Sequence, residues 1–396
     1  MRDFADGLEF ALPMTLGIDA SNLVVGGGLT HLIEFLRHAR PHDFCIDRVV
    51  LYGSQSNLPW IEDRPWLVKR DVPKLGKSLF RRFLWITFGL KKRLNLDKVD
   101  VLLVPGGILT CGFQPAVTIC QNLLPFEKEE SSLYGISKSR LRIFLLRILF
   151  SHSFKRSAGV IFLTEYSKLR VIDEIAKTPR SYKIIPHGVS AFFSPSPARQ
   201  YDISAFNTDN PFRFLYISTL DLYKNHCQVI EAISSLRNST GWPLAIDFVG
   251  SPMPDMFRKF EETLKKFDPH SEWTKYHGWL PEERLKTFLQ DADVGIFASS
   301  CENLPITLLI KMASGLPMAS SDSGPMPEIL GDAAIYFNPK DSTDIASKLK
   351  VLIDSPSKRK ELAERSHKKS MEYQWDRCAS DTLAFLSVTY RGYHRI

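Results

Sequence analysis

The stretch that decides the fold is residues 291–339, DADVGIFASSCENLPITLLIKMASGLPMASSDSGPMPEILGDAAIYFNP. Within it, VGIFAS (294–299) and LPMASS (316–321) are short apolar runs that predict buried parallel strands. Between them, LPITLLIKMAS (304–314) is apolar at helical spacing and ends before Gly315. Such a crossover places its ligand beyond the carboxyl ends of the strands, near helix N-termini. The loop SSCENLP (299–305) is therefore a predicted phosphate site.

Most of this stretch closely resembles the nucleotide-sugar motif of retaining glycosyltransferases of family 4. The resembling sequence is SSCENLPITLLIKMASGLPMASSDSGPMPEILGDAAIYFNP. That family usually has two glutamates with seven residues between them, and here Glu302 fills the first place and Ile310 the second. The resemblance covers nearly the whole chain and is most specific over residues 212–339. It implies the GT-B fold, an α/β architecture in which two doubly wound Rossmann-like domains face a cleft.

The resemblance assigns roles to this loop and helix. Glu302 is the expected catalytic carboxylate, which would hold hydroxyls of the transferred sugar. The alternative role for Glu302 is a structural charge that complements the helix dipole. The expected donor-binding residues that follow it are Asn303, Leu304, Ile306, Thr307 and Ile310.

Length and composition agree with two soluble globular domains, since 396 residues exceed one typical core and the apolar and charged fractions are 44% and 24%. We place the domains at 1–200 and 201–375, with a final helix at 376–396 that, in the implied fold, crosses back to the first. The six cysteines are scattered without metal-ligand or CxxC spacing, which favours a reducing compartment. No leader pattern or apolar run of membrane-spanning length occurs, so we expect a cytoplasmic protein.

Strands and helices alternate through the first half. Predicted strands lie at residues 14–20, 48–54, 99–107 and 116–126. Three glycines at 26–28 precede an apolar-periodic helix, but they lack the GxGxxG order of a dinucleotide site, so a dehydrogenase is disfavoured. In the resembling family this loop faces donor phosphate and acceptor, which makes Gly27 and Gly28 donor-binding candidates.

Two further candidates in the first half come from the resemblance. The strand at 116–126 ends in Gln121 and Asn122 where the family usually has His and Asp. An amide can orient a sugar hydroxyl although it cannot titrate, so Gln121 is retained as a catalytic candidate. His187, in IIPHGV, stands at the family's turn beside the cleft, and a structural role for it is the alternative.

The first half also carries the positive charge. Residues 1–195 have a formal charge of +9 and the remainder −2. Residues 74–94 and 138–156 interleave Lys and Arg with Phe, Leu and Ile, a composition typical of helices on anionic lipid. A core-facing helix with a solvated basic edge is the alternative for each. We expect an anionic membrane surface as partner, and no nucleic acid, because no recognised binding motif accompanies the charge.

The second half begins with the predicted strand FRFLYISTL (212–220). The family has Gly-Arg after this strand and Lys five residues later, and here Ser218 and Thr219 replace the pair while Lys224 remains. Lys224 and helix amides would hold the donor diphosphate, unless another basic group substitutes.

Leu280 or its neighbour Trp279 would lie near the base. DAD at 291–293 imitates a DxD metal motif but precedes a strand, so no metal or other cofactor is expected.

Together with the resemblance, these features predict an enzyme that moves a sugar from a nucleoside diphosphate to a carbohydrate acceptor, expected in the lipid-linked (polyprenyl-linked) form, and the resemblance implies retention of anomeric configuration. The wording QNLLPFE (121–127) resembles bacterial surface-polysaccharide transferases. A location on the inner face of the plasma membrane would follow from the lipid contact. Two alternatives are open: a catalytically impaired relative that binds nucleotide or scaffolds polysaccharide assembly, and a sugar-nucleotide epimerase of the same fold.

Overall fold

Two parallel β-sheets organise the computed structural model, which describes residues 13–24, 26–72, 79–193 and 196–394. The start of the basic segment at 74–94 lies outside the described residues. In chain order the strands are β1 (Met14–Asp19), β2 (Ile46–Gly53), β3 (Leu67–Asp71), β4 (Val101–Val104), β5 (Ala116–Ile119), β6 (Gly159–Phe162), β7 (Tyr182–Ile184), β8 (Phe212–Ile217), β9 (Leu244–Val249), β10 (Thr274–Tyr276), β11 (Val294–Phe297), β12 (Met318–Ser321) and β13 (Ala334–Phe337).

Helices separate most consecutive strands. They are α1 (Gly27–His38), α2 (Leu79–Leu84), α3 (Leu90–Leu96), α4 (Lys128–Ser132), α5 (Lys138–Arg156), α6 (Glu165–Ile175), α7 (His226–Thr240), α8 (Pro254–Phe267), α9 (Glu282–Asp291), α10 (Ile306–Ala313), α11 (Met326–Leu330), α12 (Ser342–Asp354), α13 (Pro356–Ser370) and α14 (Trp375–His394). A π-helical turn, Trp85–Gly89, joins α2 to α3.

The chain divides into two compact units. The first unit contains the described residues up to Phe126, residues 136–188, and the described residues from Gln374 onward. The second unit contains Glu127–Gly135 and the described part of Val189–Tyr373. The terminal helix α14 therefore belongs to the first unit, and α4 belongs to the second although it lies in the first half of the sequence.

Both sheets are doubly wound, which confirms the predicted α/β class. The first sheet has the order β3-β2-β1-β4-β5-β6-β7 and the second β10-β9-β8-β11-β12-β13. Every strand pair is parallel, so the loops that follow the strands of one sheet share one edge. The winding reverses between β1 and β4 and again between β8 and β11. These two switch points are where such sheets bind ligands.

The central strands are buried because both sheet faces are covered. All four residues of β4, VLLV, and all six of β9, LAIDFV, are buried. Capping follows side-chain chemistry, since Thr164 accepts a hydrogen bond from Ser167 N at the start of α6, as its sequence position predicts. The sequence missed β3, β10 and β13, which are short and carry polar or half-buried residues.

Candidate functional site

An ion pair marks the switch point of the second sheet. The loop after β8 carries Lys224, and the loop after β11 carries Glu302. The Lys224 ammonium binds the Glu302 carboxylate directly, and their side chains are only 11% and 12% exposed. The two residues to which the sequence assigned diphosphate and sugar binding are therefore brought together at the edge where this fold binds ligands.

Neighbouring groups fix the loop that carries Lys224. The buried Tyr216 hydroxyl donates to Lys224 O at 2.6 Å, and Asn225 Nδ2 donates to Ala298 O at 2.8 Å. Asp221 accepts from Leu222 N at 2.8 Å. These bonds hold the β8 loop against the end of β11, so the position of Lys224 is set by the sheet and not by solvent.

The segment that contains α4 also supports this loop. Tyr134, just after α4, donates its hydroxyl to Asp221 Oδ1 at 2.7 Å. Glu130 of α4 lies 2.9 Å from Lys340 Nζ in an ion pair. Burial, together with the Asp221 carboxylate, raises the pKa of Tyr134, so this phenol remains a donor. The sequence did not predict that this segment would support the Lys224 loop.

The loop after β11 leads into the N-terminus of α10. Asn303 and Leu304 are buried, whereas Ile306, Thr307 and Ile310 are half-buried. The first helical amides of α10 therefore stand next to Glu302 in sequence, and they add a positive partial charge to that of Lys224. Ile310 presents no polar side-chain atom on this helix. No observation places a ribose there, so the role of Ile310 stays a prediction.

A second lysine, which the sequence analysis overlooked, lies beneath this loop. Lys311 of α10 is completely buried, and its Nζ donates to Ile296 O at 2.5 Å. The ammonium also lies 4.6 Å from the ring centroid of Phe297 and 5.4 Å from that of Tyr216. A lysine inside the apolar run ITLLIKMA was the signal in the sequence that could have identified it.

Tight turns join the remaining loops of this edge. A Cβ on Gly250 would lie 2.0 Å from Ser218 O, so only glycine fits there, and Gly250 N donates to Gly278 O at 2.8 Å. Ser218 itself is buried. Beyond Gly278, Leu280 is half-buried and Trp279 is 72% exposed. The candidates for phosphate and base contact thus follow neighbouring strands of one sheet.

The corresponding edge of the first unit is built from neutral groups. Gln121, after β5, donates from Nε2 to His31 Nδ1 of α1 at 3.1 Å. Burial lowers the pKa of His31 to about 4, so the ring is neutral. A Cβ on Gly28 would lie 2.6 Å from Gln121 Oε1, which explains the glycine there by the room that this amide needs. Gly27 is the first residue of α1 and has open space around it.

His187 completes this neutral cluster. Its ring centroid lies 4.7 Å from that of His31 and 5.8 Å from that of Trp375. A Cβ on Gly188 would lie 2.2 Å from Trp375 N, so α14 packs directly on this turn. Burial lowers the pKa of His187 well below its usual value. Among the described residues no hydrogen-bond partner reaches His187 Nδ1.

Metal ligands are not grouped at either edge. Among the residues that the structure describes, no group of three or more His, Cys, Asp or Glu side chains could hold a metal ion. Asp293 of the DAD sequence accepts from Arg213 N at 2.8 Å, and burial raises the pKa of this carboxyl to about 6. Asp293 therefore has a structural partner at the start of β8.

Comparison with protein families gives one match, to the family described as glycosyl transferases group 1, over residues 200–369. The curated proteins to which the chain is similar include two mannosyltransferases. It is 24% identical over 171 residues to O-antigen chain mannosyltransferase B of Escherichia coli, covering 43% of this chain and 44% of that protein. It is 29% identical over 220 residues to the MMP alpha-(1->4)-mannosyltransferase of Mycolicibacterium hassiacum, covering 54% and 50%. Each alignment thus spans half or less of the relative.

Solved structures match over nearly the full length. Sucrose-phosphate synthase from Thermosynechococcus elongatus has a TM-score of 0.74 at 15% identity, with 96% of this chain and 99% of that chain covered. Anabaena Alr3699/HepE in complex with UDP and glucose has a TM-score of 0.68 at 16% identity, with 94% and 100% covered. These likenesses establish the fold, which is GT-B as expected from the sequence.

Proposed function

We propose that this chain, whose residues 200–369 match the family described as glycosyl transferases group 1, transfers a sugar from a nucleoside diphosphate sugar to a carbohydrate acceptor. The observation that carries the proposal is the buried Lys224–Glu302 pair at the switch point of the second sheet. It offers a cation for a diphosphate and a carboxylate for sugar hydroxyls. The names of two of the curated relatives, both mannosyltransferases, support the same reaction class.

The chemistry requires that negative charge on the departing diphosphate be stabilised. In the proposed step the bond between the anomeric carbon and the phosphate oxygen breaks while the acceptor oxygen bonds to that carbon from the same face. The acceptor proton passes to the leaving phosphate, and anomeric configuration is retained. In this scheme Lys224 and the first amides of α10 would contact the phosphate, so the largest contribution to catalysis would be electrostatic. No step needs a metal.

The ion pair also implies an exchange of partners. Without donor, Glu302 neutralises Lys224. A diphosphate carries more negative charge than one carboxylate, so it competes for the Lys224 ammonium. Glu302 is then released to accept hydrogen bonds from hydroxyls of the sugar. Donor binding in this scheme prepares the carboxylate that positions the sugar.

Donor turnover tests the proposal. Purified protein is offered a panel of common nucleotide sugars, and release of nucleoside diphosphate is measured with and without carbohydrate acceptors. We expect release from at least one donor, and a fall of about 100-fold in Glu302→Gln, the scale of losing one positioned polar group. Glu364→Gln is the matched control, since Glu364 is 59% exposed and lies 3.9 Å from Lys360 in an outer ion pair. Equal activity of Glu302→Gln and wild type would refute the assigned role.

One observation favours the alternative of a catalytically impaired relative. Ile310 supplies no polar atom on α10 where the resembling family has a glutamate, and Thr219 offers no cation after β8. Such a protein would bind nucleotide sugar and scaffold polysaccharide assembly. Binding of a nucleotide sugar by calorimetry with no turnover of any donor would establish this alternative and exclude the enzyme.

The proposed acceptor is polyprenyl-linked, because α5 presents an apolar face to solvent. This α5 face consists of Leu141, Phe144, Leu145 and Ile148, each at least half exposed, at the i, i+3, i+4 and i+7 positions of one helix face. Basic residues Lys138, Arg140 and Arg142 occupy the first turns of the same helix. Exposed apolar side chains beside cations are the composition of a surface that lies on anionic lipid.

The described part of the other basic segment of the first unit, residues 74–94, lies near α5. Leu109 N donates to Ser153 Oγ of α5 at 2.8 Å, and the next residue, Thr110, bonds through Oγ1 to Thr87 Oγ1 at 2.9 Å. Thr87 lies in the π-helical turn, whose Phe88 is 73% exposed. Both basic segments thus border one loop. In the described part of the chain, no helix is long and apolar enough to cross a bilayer.

Sedimentation with vesicles tests this surface. Wild-type protein should bind vesicles that contain phosphatidylglycerol more strongly than phosphatidylcholine vesicles, and added salt should weaken the difference. The double substitution Phe144→Gln and Ile148→Gln should reduce binding at least about tenfold, since each side chain would bury its apolar area in the interface. Leu169→Gln is the control, because Leu169 of α6 is 59% exposed outside this face. Equal binding to neutral and anionic vesicles would remove the lipid contact from the proposal.

A further inference from the structure

Lys311 combines complete burial with a position directly behind the switch point. Its side chain has no exposed surface, and it extends from α10 to the carbonyl of Ile296 on β11. The ring of Tyr216 stands between this ammonium and the Lys224 loop, because it is 5.4 Å from Lys311 Nζ and its hydroxyl donates to Lys224 O. One aromatic ring therefore separates the buried lysine from the loop that carries the proposed phosphate ligand.

No carboxylate pairs with Lys311 Nζ among the described residues. Its contacts are one carbonyl oxygen and two ring faces, which together replace only part of the hydration that an ammonium has in water. Burial lowers the pKa of Lys311 well below its usual value, the nearby positive charge of Lys224 lowers it further, and Glu302 raises it. A positive charge at this position lacks a full counter-charge until an anion arrives at the edge.

We propose that Lys311 is a positioning residue for the donor, a buried lysine that becomes protonated when the diphosphate binds beside Lys224 and stabilises it without touching it. The inference rests on the proposed function and answers a specific gap in the sequence. The resembling family has an arginine where this chain has Thr219. Lys311 would supply the second positive charge from the opposite side of the loop.

The groups around Lys311 allow this assignment. Tyr216 of β8 is buried, and burial, with Glu302, raises its pKa well above the usual value, so it stays a neutral phenol. His226 of α7 is buried against Tyr216, and burial, with Lys224 and Lys311, lowers its pKa to about 3, so it stays neutral as well. The charged groups are Lys224 and Glu302, which are bound to each other. Cys301 and Tyr223 adjoin the same pair, and burial raises the pKa of each well above its usual value, so both stay neutral. His367 of α13 bonds to Ala313 O at the opposite end of α10.

Linkage gives the direction of the effect. A diphosphate stabilises the protonated amine, so the pKa of Lys311 is higher in the complex than in the free protein. Binding therefore takes up a proton at any pH between those two values. Affinity rises as pH falls across that interval, by up to about tenfold per pH unit, and levels off below it. A site without such a lysine would show neither effect.

Calorimetry tests the inference on the full chain with UDP-glucose and GDP-mannose, whose diphosphates do not titrate near neutral pH. Binding enthalpies in buffers of different ionisation enthalpy give the number of protons taken up, and affinities are measured from pH 6 to 9. We expect uptake approaching one proton per site in wild type. Lys311→Met should remove the uptake, weaken binding about tenfold at pH 7, and fold normally because methionine fits an apolar site. Lys311→Arg should bind donor more tightly than Lys311→Met, and its affinity should be independent of pH, since a guanidinium stays charged.

Lys360→Met is the matched control, since Lys360 is 70% exposed on α13, and it should leave uptake and affinity unchanged. Donor binding by wild type without proton uptake, or uptake that persists in Lys311→Met, would overturn the inference and leave the proposed function intact. Failure to bind either donor or any other nucleotide sugar would instead refute the proposed function. If Lys311→Met does not fold, the proton uptake of wild type and the pH dependence of its donor affinity decide whether the inference holds.

Discussion

The carboxyl edges of the two sheets share one topology but differ in their chemistry. In the second unit the switch point holds an ion pair, Lys224 with Glu302, and a buried lysine behind it. In the first unit the same edge holds an amide and two imidazoles, those of Gln121, His31 and His187, and burial keeps both histidines neutral. One edge is suited to an anion and the other to uncharged hydroxyl groups.

This difference indicates a division of roles that the fold alone does not impose. Charged side chains are costly to bury unless they meet an opposite charge. The edge of the second unit carries such paired charges, and the edge of the first unit is lined by neutral polar groups. Three experiments test this difference between the two edges. They remove a positive charge from the second edge, add a negative charge to the second edge, and protonate a histidine of the first edge.

Removing the cation should have the largest effect. Lys224→Met deletes a charge-assisted phosphate contact, so donor binding should weaken by about 2–3 kcal/mol, roughly 30- to 150-fold. Titration calorimetry with the preferred nucleotide sugar measures it, and Lys360→Met provides the comparison. An unchanged dissociation constant in a folded Lys224→Met protein would mean that the diphosphate binds elsewhere.

Adding a carboxylate to the second edge should have the next largest effect. Ile310→Glu would restore an acceptor for donor hydroxyls on α10, so the donor KM should fall about ten- to hundredfold while kcat changes little. Ground state and transition state gain alike from a contact remote from the breaking bond. Val351→Glu on α12, where Val351 is 47% exposed, controls for an added acidic residue. A KM that does not change would place the ribose away from Ile310.

Protonating His31 at the first edge should have the smallest effect, measured as the change in the free energy of unfolding per pH unit. The pKa of His31 falls from 6.5 to about 4 on folding, because burial disfavours the imidazolium. Unfolded chain therefore binds the proton first, and the stabilisation that is present above pH 6.5 is lost as pH falls toward 4, by up to about 1.4 kcal/mol per pH unit. Urea unfolding of wild type and His31→Gln at pH 7.5, 6.5 and 5.5 measures this.

The His31→Gln protein should lose less stability than wild type on acidification. His270→Gln, at an exposed position of the second unit, should keep the wild-type slope. Equal slopes in wild type and His31→Gln would show that this imidazole is not held neutral by the fold, and the contrast between the two edges would then fail.

Much of the second unit was accessible from sequence because its signals are local. Apolar runs and periodicity located β8, β11, β12 and α10 to within a few residues, and the resemblance assigned both Lys224 and Glu302 to the donor site. The strands β3, β10 and β13 escaped because partners in the sheet, and not their own short sequences, hold them in place.

Long-range contacts were not accessible in the same way. Gln121 was predicted as an orienting amide, but its partner His31 lies 90 residues away and gave no signal. Lys311 was read as part of an apolar helix, since periodicity does not say which neighbour a lysine meets. The support of Asp221 by Tyr134 joins residues 87 positions apart. Such pairs depend on how the sheets are wound and not on any pattern within one segment.

The packing of α14 has a consequence for synthesis on the ribosome. Trp375 begins this helix, is only 4% exposed, and its ring lies tilted against those of His31 and His187 of the first unit. The described residues of the second unit end at Tyr373, so that unit is fully translated before α14 emerges. The core of the first unit is therefore completed only after α14 has been translated, and a chain that stops before Trp375 leaves His31 and His187 without their indole cover.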